Sequence, residues 1–291
     1  MTQLGLQRTA PSRLAAPRMP RPRGDGRVAL LFIAPVLLGF AVFYLYPTIR
    51  GLWWSFTDYS LLAEPEFVGL ENYVAVLTPE NLWVQLVNST IAAVFTTSGV
   101  ILLGVLAAFV IARYQFKGRD ALFTLFTAGL LFPLTVAVVP LFTMIKGLGL
   151  LGNLWGIIIP QVAFALPTTI IILVPFLRAI PAELEDAATI DGAGRLGFFW
   201  RIVVPLAGPG LVTVGVLAFV ASWNAYLLPL LILGDPSHST LPLGTQAFAT
   251  QYSSDTAKVM AFTTISMIPA LVFFTLAQGR IVSGLTGAVK G

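Results

Sequence analysis

Four acidic side chains fall within nine positions of the stretch ELEDAATID, at Glu183, Glu185, Asp186 and Asp191. Clustered carboxylates can act as general acids or bases, hold a metal ion, or pair with cations on another surface. The chain has no cysteine and one histidine, His238, which excludes disulfides and thiolate metal sites and leaves too little material for a histidine-dependent triad. Pairing with cations of a partner is the chemistry that the acidic cluster favours.

The surroundings of this cluster are typical of a membrane protein. The 291 residues are 57% hydrophobic and 10% charged, whereas a soluble domain carries roughly 25% charged residues. A membrane-spanning helix needs about 20 apolar residues. Six uncharged apolar stretches are of suitable length: 28–46, 87–112, 121–145, 154–177, 211–233 and 259–278. The sequence therefore predicts an all-α integral membrane protein with six transmembrane helices.

The basic residues predict the orientation of these helices. Six spans place both termini on one side, and fourteen of the 17 Lys and Arg residues then lie on that side, against three on the other. Cytoplasmic loops carry such an excess, so we expect cytoplasmic N and C termini. This bias accounts for the pI of about 9.6 without a nucleic-acid partner, and the six spans predict a multi-pass membrane protein.

The chain is divided accordingly into three regions. Residues 1–27 are rich in Pro and Arg and are expected to be a disordered basic tail. The first apolar stretch lacks a small-residue cleavage pattern and is interpreted as an uncleaved anchor. Residues 28–283 form the predicted six-helix domain, and residues 284–291 form a cytoplasmic tail.

The acidic cluster lies in the predicted cytoplasmic loop of residues 181–210. Pro181 suits the first turn of a helix, and the acids that follow favour the positive end of the helix dipole. Gly192 and Gly194 permit a sharp turn, after which residues 196–204 form a second short segment that Pro205 is expected to end. This hairpin is either a docking element or an amphipathic connector between two spans, and the residues alone leave both open.

The loop resembles the signature of ABC-importer permeases, written E-A-A, three residues, G, nine residues, I-x-L-P. Asp186 replaces the glutamate and Val204 the leucine, while the other signature positions agree. The resemblance implies that this loop docks on a separate ATP-hydrolysing subunit. The residues to which it assigns that role, with Asp191 as a neighbouring contact, are Asp186, Ala187, Ala188, Gly192, Ile202 and Pro205.

Further stretches resemble the carbohydrate-importing branch of that family, of maltose-transporter type. They include IPAELEDAATIDGAG, SWNAYLLPLLIL and the ending GLTGAVKG. The resemblance implies the type I importer permease fold and pairing with a second permease subunit, two ATPase subunits and an extracytoplasmic sugar-binding protein. Most of the chain is similar to the shorter, maltose-G-like partner of the permease pair, although the N-terminal part is more similar to the other partner.

The resemblance also assigns two further contact regions. The outer loop of residues 234–258 would contact the binding protein, with Ser237, Ser239, Gln246 and Tyr252 as candidates. The end of the tail, Val289, Lys290 and Gly291, would reach the ATPase subunits. No G-x-x-x-x-G-K-[ST] motif occurs, so ATP and Mg²⁺ are expected to bind the partner ATPase, and no cofactor is expected in this chain.

The predicted spans contain no charged side chain, which speaks against an ion-coupled carrier or ion channel. A neutral polyol would instead meet hydrogen-bonding and aromatic groups. Candidates on the fourth and fifth spans are Gln161, Thr168, Thr169, Ser222, Trp223 and Asn224. The alternative is that the polar groups bond neighbouring helices and that Trp223 anchors the chain at the membrane interface.

The sequence therefore predicts the permease of an ATP-driven sugar importer, which performs no bond chemistry itself. The nearest alternative is an ABC permease for a non-sugar solute. An ion-coupled secondary carrier would need a titratable or ion-coordinating site at mid-membrane, and a membrane-embedded enzyme would need catalytic side chains that the spans lack.

Overall fold

The computed structural model describes residues 25–60, 64–78, 81–235, 238–249 and 254–288, with side chains described from Gly26 to Gly279. Over these residues the chain is helical, and strand-like pairing is confined to the isolated bridges Thr57–Phe67 and Ala249–Ser254. The predicted all-α class is confirmed.

The chain divides into two compact units, Met1–Arg50 and Gly51–Gly291. The helical run that begins in the first unit consists of α1 (Asp25–Phe40), a π-helical turn (Ala41–Leu45) and α2 (Tyr46–Trp54). Its apolar stretch, Gly26–Trp54, is 29 residues long, enough to cross a membrane, and it contains the predicted first span.

Three predicted spans of the second unit are continuous helices. They are α4 (Asn81–Arg113), α7 (Trp155–Arg178) and α13 (Thr256–Ala288), and in α13 the stretch Thr256–Gly279 is apolar and long enough to cross a membrane. Because α13 continues to Ala288, residues 284–288 of the predicted tail are helical. Residues 289–291 lie outside the described part.

The predicted span of residues 121–145 is interrupted and is not one continuous helix. It consists of α5 (Arg119–Gly129) and α6 (Leu134–Gly147), which meet at 100°. Pro133, in the intervening break, has an extended backbone with ψ 135°. The residue before a proline is disfavoured in the helical region, so the backbone turns although the apolar sequence continues.

The predicted span of residues 211–233 is also interrupted. Helix α11 (Gly208–Trp223) ends at Asn224, and α12 (Leu227–Leu233) follows as a separate helix. Asn favours helix ends because its amide competes for backbone hydrogen bonds. The described residues contain four continuous helices long enough to cross a membrane. The number rises to six if two bent pairs each count as one span: α5 with α6, and residues 195–206 with α11.

Short elements connect these helices. They are α3 (Glu71–Leu77), α8 (Glu183–Ile190), α9 (Arg195–Phe198), a π-helical turn (Phe199–Val203), α10 (Val204–Leu206) and a 3₁₀-helix (Leu241–Ala247). Pro205 does not end the second segment of the hairpin as predicted. The wide π turn comes directly before it, where proline lacks an N–H to continue the α-helical pattern.

Two glycines allow α4 and α7 to approach closely. A Cβ at Gly99 would lie 2.9 Å from Cγ2 of Val162, and a Cβ at Gly104 would collide with Cγ2 of Thr169. Small residues at such positions are how membrane helices bring their backbones together. This contact places the polar residues of α7 against α4.

We expect Gly104→Ala to lower the thermal unfolding temperature of the detergent-solubilised protein, because the added methyl overpacks the α4–α7 contact by about 1–3 kcal/mol. Gly147→Ala is the matched control, since a Cβ at Gly147 has no neighbour within 4 Å. Equal unfolding temperatures for the two variants would contradict the packing argument.

Candidate functional site: a hairpin and a cavity

Residues 181–206 form a helical hairpin, here called the coupling hairpin. Gly192 has φ 78°, a left-handed conformation that favours glycine. The Ala193 amide donates to the Ala188 carbonyl at 2.8 Å and the Gly192 amide donates to that of Thr189 at 3.0 Å. These two bonds form a Schellman motif, which ends α8 and fixes the direction of the chain that follows.

The inner face of the coupling hairpin is apolar and buried. Ala188, Phe198, Phe199 and Val203 pack in one cluster with residues of α4 and α7. The ring of Phe199 lies 4.9 Å from that of Phe109 on α4. The Ala188 side chain, one of the predicted docking residues, thus faces the core of this chain.

The outer face exposes the other signature residues of the first arm. Asp186, Ala187, Asp191 and Gly192 are all exposed. In the second arm Ile202 is half-buried against the apolar cluster and Pro205 is exposed.

Five large apolar residues of the same hairpin are also exposed, and the three most exposed of them were missed from the sequence. Ile190, Leu196 and Trp200 are 86%, 74% and 52% exposed. Their occurrence in a predicted cytoplasmic loop was the signal that could have identified them. The hairpin thus exposes both acidic and large apolar side chains, a combination that suits contact with another protein better than contact with solvent.

A cavity of about 530 Å³ lies between α7 and α11. Four of the predicted substrate-path residues line it: Gln161, Thr168, Thr169 and Ser222. Aromatic groups reach it from Phe164 and Tyr226. The sequence analysis missed these two aromatic residues and Thr96, which α4 contributes.

The Gln161 side chain joins three helices at the cavity wall. Its Oε1 accepts hydrogen bonds from Thr96 Oγ1 of α4 at 3.1 Å and from Ser222 Oγ of α11 at 2.5 Å. The Thr169 hydroxyl bonds within its own helix, to Ala165. Gln161 and Ser222 therefore line the cavity and also bond neighbouring helices, which was the alternative role that the sequence left open.

Trp223 and Asn224 lie apart from this cavity lining. Trp223 is buried, its ring stacks near Phe219, and its Nε1 donates to the Ser266 carbonyl of α13 at 3.0 Å. Asn224 is exposed at the end of α11. The structure thus gives Trp223 a packing contact between α11 and α13.

A smaller cavity of about 310 Å³ lies beside the predicted outer loop and is lined in part by Ser239 and Gln246. The Ser239 carbonyl accepts from Asn88 Nδ2 of α4, and Ser89 Oγ of α4 accepts from the Leu241 amide at 2.7 Å. The other predicted contacts of this loop, Ser237 and Tyr252, lie outside the described residues, as do Val289, Lys290 and Gly291 of the tail.

Comparison with protein families gives one match over residues 100–287, to the binding-protein-dependent transport system inner membrane component. This range contains the coupling hairpin and both walls of the larger cavity.

Similar proteins extend over most of the chain. The sulfoquinovosyl glycerol transport system permease protein SmoH of Agrobacterium fabrum is 36% identical over 90% of this chain and 94% of its own length. The trehalose/maltose transport system permease protein MalG of Thermococcus litoralis is 36% identical over 90% and 96%. The trehalose transport system permease protein SugB of Mycobacterium tuberculosis is 37% identical over 78% and 84%.

A chain of a solved bacterial ABC transporter involved in the import of the acidic polysaccharide alginate has the same fold. It matches with a TM-score of 0.73 at 23% identity, over 90% of this chain and 99% of the other. The predicted importer permease fold is confirmed.

The Gln161 cluster makes a prediction about stability. Gln161→Leu removes the acceptor of two interhelical hydrogen bonds. In a double-mutant cycle with Ser222→Ala, measured as the free energy of unfolding in detergent, we expect an interaction energy of about 0.6–1.7 kcal/mol between the two positions. Thr213→Val is the control partner, because the Thr213 hydroxyl bonds within its own helix. If the losses of unfolding free energy caused by Gln161→Leu and Ser222→Ala were simply additive, the interhelical bond between these side chains would be contradicted.

Proposed function

The chain belongs to the family of binding-protein-dependent transport system inner membrane components, and we propose that it forms half of the membrane pathway of a sugar importer driven by a separate ATPase. The relatives named for sulfoquinovosyl glycerol, trehalose/maltose and trehalose transport support a sugar or glycoside as substrate. The observation that carries the coupling role is the exposed acidic and apolar face of the hairpin, whose inner face is fixed to α4 and α7.

The coupling hairpin is the surface on which the ATPase docks. Asp186 and Asp191 offer carboxylates to cations of the ATPase, and Ile190, Leu196 and Trp200 offer apolar anchors of the kind that dominate binding energy when they become desolvated. Gly192 holds the two arms at a fixed angle. Closure of two ATPase subunits on ATP therefore moves the hairpin and the attached helices together.

The larger cavity is this chain's part of the sugar path. Its lining is apolar with hydroxyl, amide and aromatic groups and carries no charged side chain, a composition suited to a neutral polyol. Among the described residues that line it, there is no Asp, Glu, His, Lys or Arg that could serve ion coupling. Alternating access follows when movement of the hairpin changes the packing of α4, α7 and α11 around this cavity.

The complete importer has further subunits. A second permease completes the pathway, two ATPase subunits bind ATP and Mg²⁺, and an extracytoplasmic binding protein delivers the sugar to the outer loop near Ser239 and Gln246. The last residues of the tail contact the ATPase pair. The whole assembly lies in the inner membrane with both termini of this chain in the cytoplasm, the orientation that the basic residues favour.

Docking can be tested at Asp186. We expect Asp186→Ala to weaken binding of the purified ATPase to the detergent-solubilised permease pair about tenfold, or ~1.4 kcal/mol, because a charged contact is lost at the interface. Asp186→Glu, which restores the family signature, should retain affinity. Glu183→Ala is the control, an exposed acid of the same helix. Docking through another surface would leave all three variants equal.

The sugar path can be tested by filling the cavity. Ala221 lines it with an exposed side chain, and we expect Ala221→Trp to abolish uptake of radiolabelled trehalose and maltose by proteoliposomes, while ATPase binding persists. Leu103→Trp, at an exposed position on α4 outside this cavity, should retain uptake. Normal uptake by Ala221→Trp would exclude this cavity from the path.

A further inference from the structure

Arg113, in the last turn of α4, contacts two parts of the coupling hairpin and the residue just before it. Its side chain is only 9% exposed. Nη1 donates to the Ile180 carbonyl at 2.7 Å, just before the hairpin begins. Nη2 and Nε both donate to Glu185 Oε2 of α8, at 2.9 Å and 3.3 Å. Its Cζ lies 5.8 Å from the ring centroid of Phe198 on α9.

These contacts require an arginine. A guanidinium presents several donors in a rigid planar arrangement, so a single side chain can hold a carbonyl and a carboxylate while lying over an aromatic ring. A lysine ammonium is a point charge and cannot reproduce that geometry. Neighbouring cations behave differently: Lys117 is exposed, and Arg119 donates to Ile111 and Gln115 at the end of α4 itself.

The helix that carries Arg113 contacts the other two functional regions as well. Thr96 of α4 donates to Gln161 at the larger cavity. Further along, Ser89 accepts from Leu241 in the predicted outer loop. The 24 residues from Ser89 to Arg113 span about 36 Å at 1.5 Å per residue. A hairpin held firmly at Arg113 can therefore displace the cavity wall and the outer loop through one helix.

We propose that Arg113 is the positioning residue that clamps the coupling hairpin to α4, so that movement imposed by the ATPase reaches the cavity instead of being lost as pivoting of the hairpin. Glu185 is its counterpart on α8, and it faces inward while the adjacent Asp186 faces the docking surface. The inference rests on the proposed transport function.

The decisive measurement is sugar transported per ATP hydrolysed. The permease pair, its ATPase and its binding protein are reconstituted in proteoliposomes with whichever of radiolabelled trehalose or maltose the wild type takes up. We expect Arg113→Ala to reduce this ratio about tenfold while the ATPase still binds, because Asp186 and the exposed face are unchanged. Arg113→Lys should also be impaired, and Lys117→Ala should match the wild type.

A second measurement addresses the position of the hairpin directly. Because the chain has no cysteine, spin labels can be placed at two introduced cysteines only, at the exposed positions Ile190 of α8 and Val110 of α4. We expect a narrow distance distribution in the wild-type background and a broader one with Arg113→Ala or with Glu185→Gln, which keeps the size of the side chain and removes its charge.

The outcomes separate this inference from the proposed function. A wild-type complex that neither binds an ATPase nor takes up sugar would reject the proposed function. A functional wild type whose Arg113→Ala variant keeps both the transport ratio and the narrow distance distribution would overturn the clamp alone. If Arg113→Ala does not assemble, the same two measurements on Glu185→Gln decide, and unchanged values there overturn the clamp.

Discussion

The close contact between α4 and α7 is the constraint on which the rest of the structure depends. Gly99 and Gly104 leave α4 without side chains where Val162 and Thr169 meet it, and backbones in a membrane approach closely only through such small residues. The pair then serves two regions at once. Near the middle of the two helices, α4 and α7 form part of the cavity wall. Toward their C-terminal ends, both helices pack against the apolar inner face of the coupling hairpin. The cavity and the coupling hairpin therefore share one support, so a displacement of either must be accommodated by the other.

The sequence predicted the helical class and the long spans because both follow from composition and from the length of apolar runs. It did not predict the breaks at Pro133 and Asn224, since the apolar sequence continues through them. Proline alone is no guide: α7 contains Pro160, Pro167 and Pro175 and remains one helix of 24 residues. Whether a proline breaks a membrane helix depends on whether neighbours satisfy the freed carbonyls, which is a property of the tertiary structure.

The candidate site was predictable to a similar extent. Polar residues are rare in apolar spans, so Gln161, Thr168, Thr169 and Ser222 could be named, and the fold brings them to one cavity. Trp223 and Asn224 follow Ser222 directly in sequence, but successive helical residues point about 100° apart, and proximity in sequence gave no information on the face. The turn at Gly192 was predictable because its cause is local. The exposure of Ile190, Leu196 and Trp200 was missed because hydrophobicity by itself suggests burial, although their position in a predicted cytoplasmic loop indicated otherwise.

The rotation of about 100° between successive helical residues also explains why neighbouring acids of α8 face different surroundings. Glu183, Glu185 and Asp186 all lie in the first turn of α8, where the helix dipole favours each of them equally. Their surroundings differ, because Glu185 turns toward Arg113 and Asp186 turns away from the chain. A count of charges would treat these acids as interchangeable, whereas the geometry gives one an internal partner and leaves the other accessible. The acidic cluster therefore supplies an internal contact with α4 through Glu185 and an accessible carboxylate through Asp186.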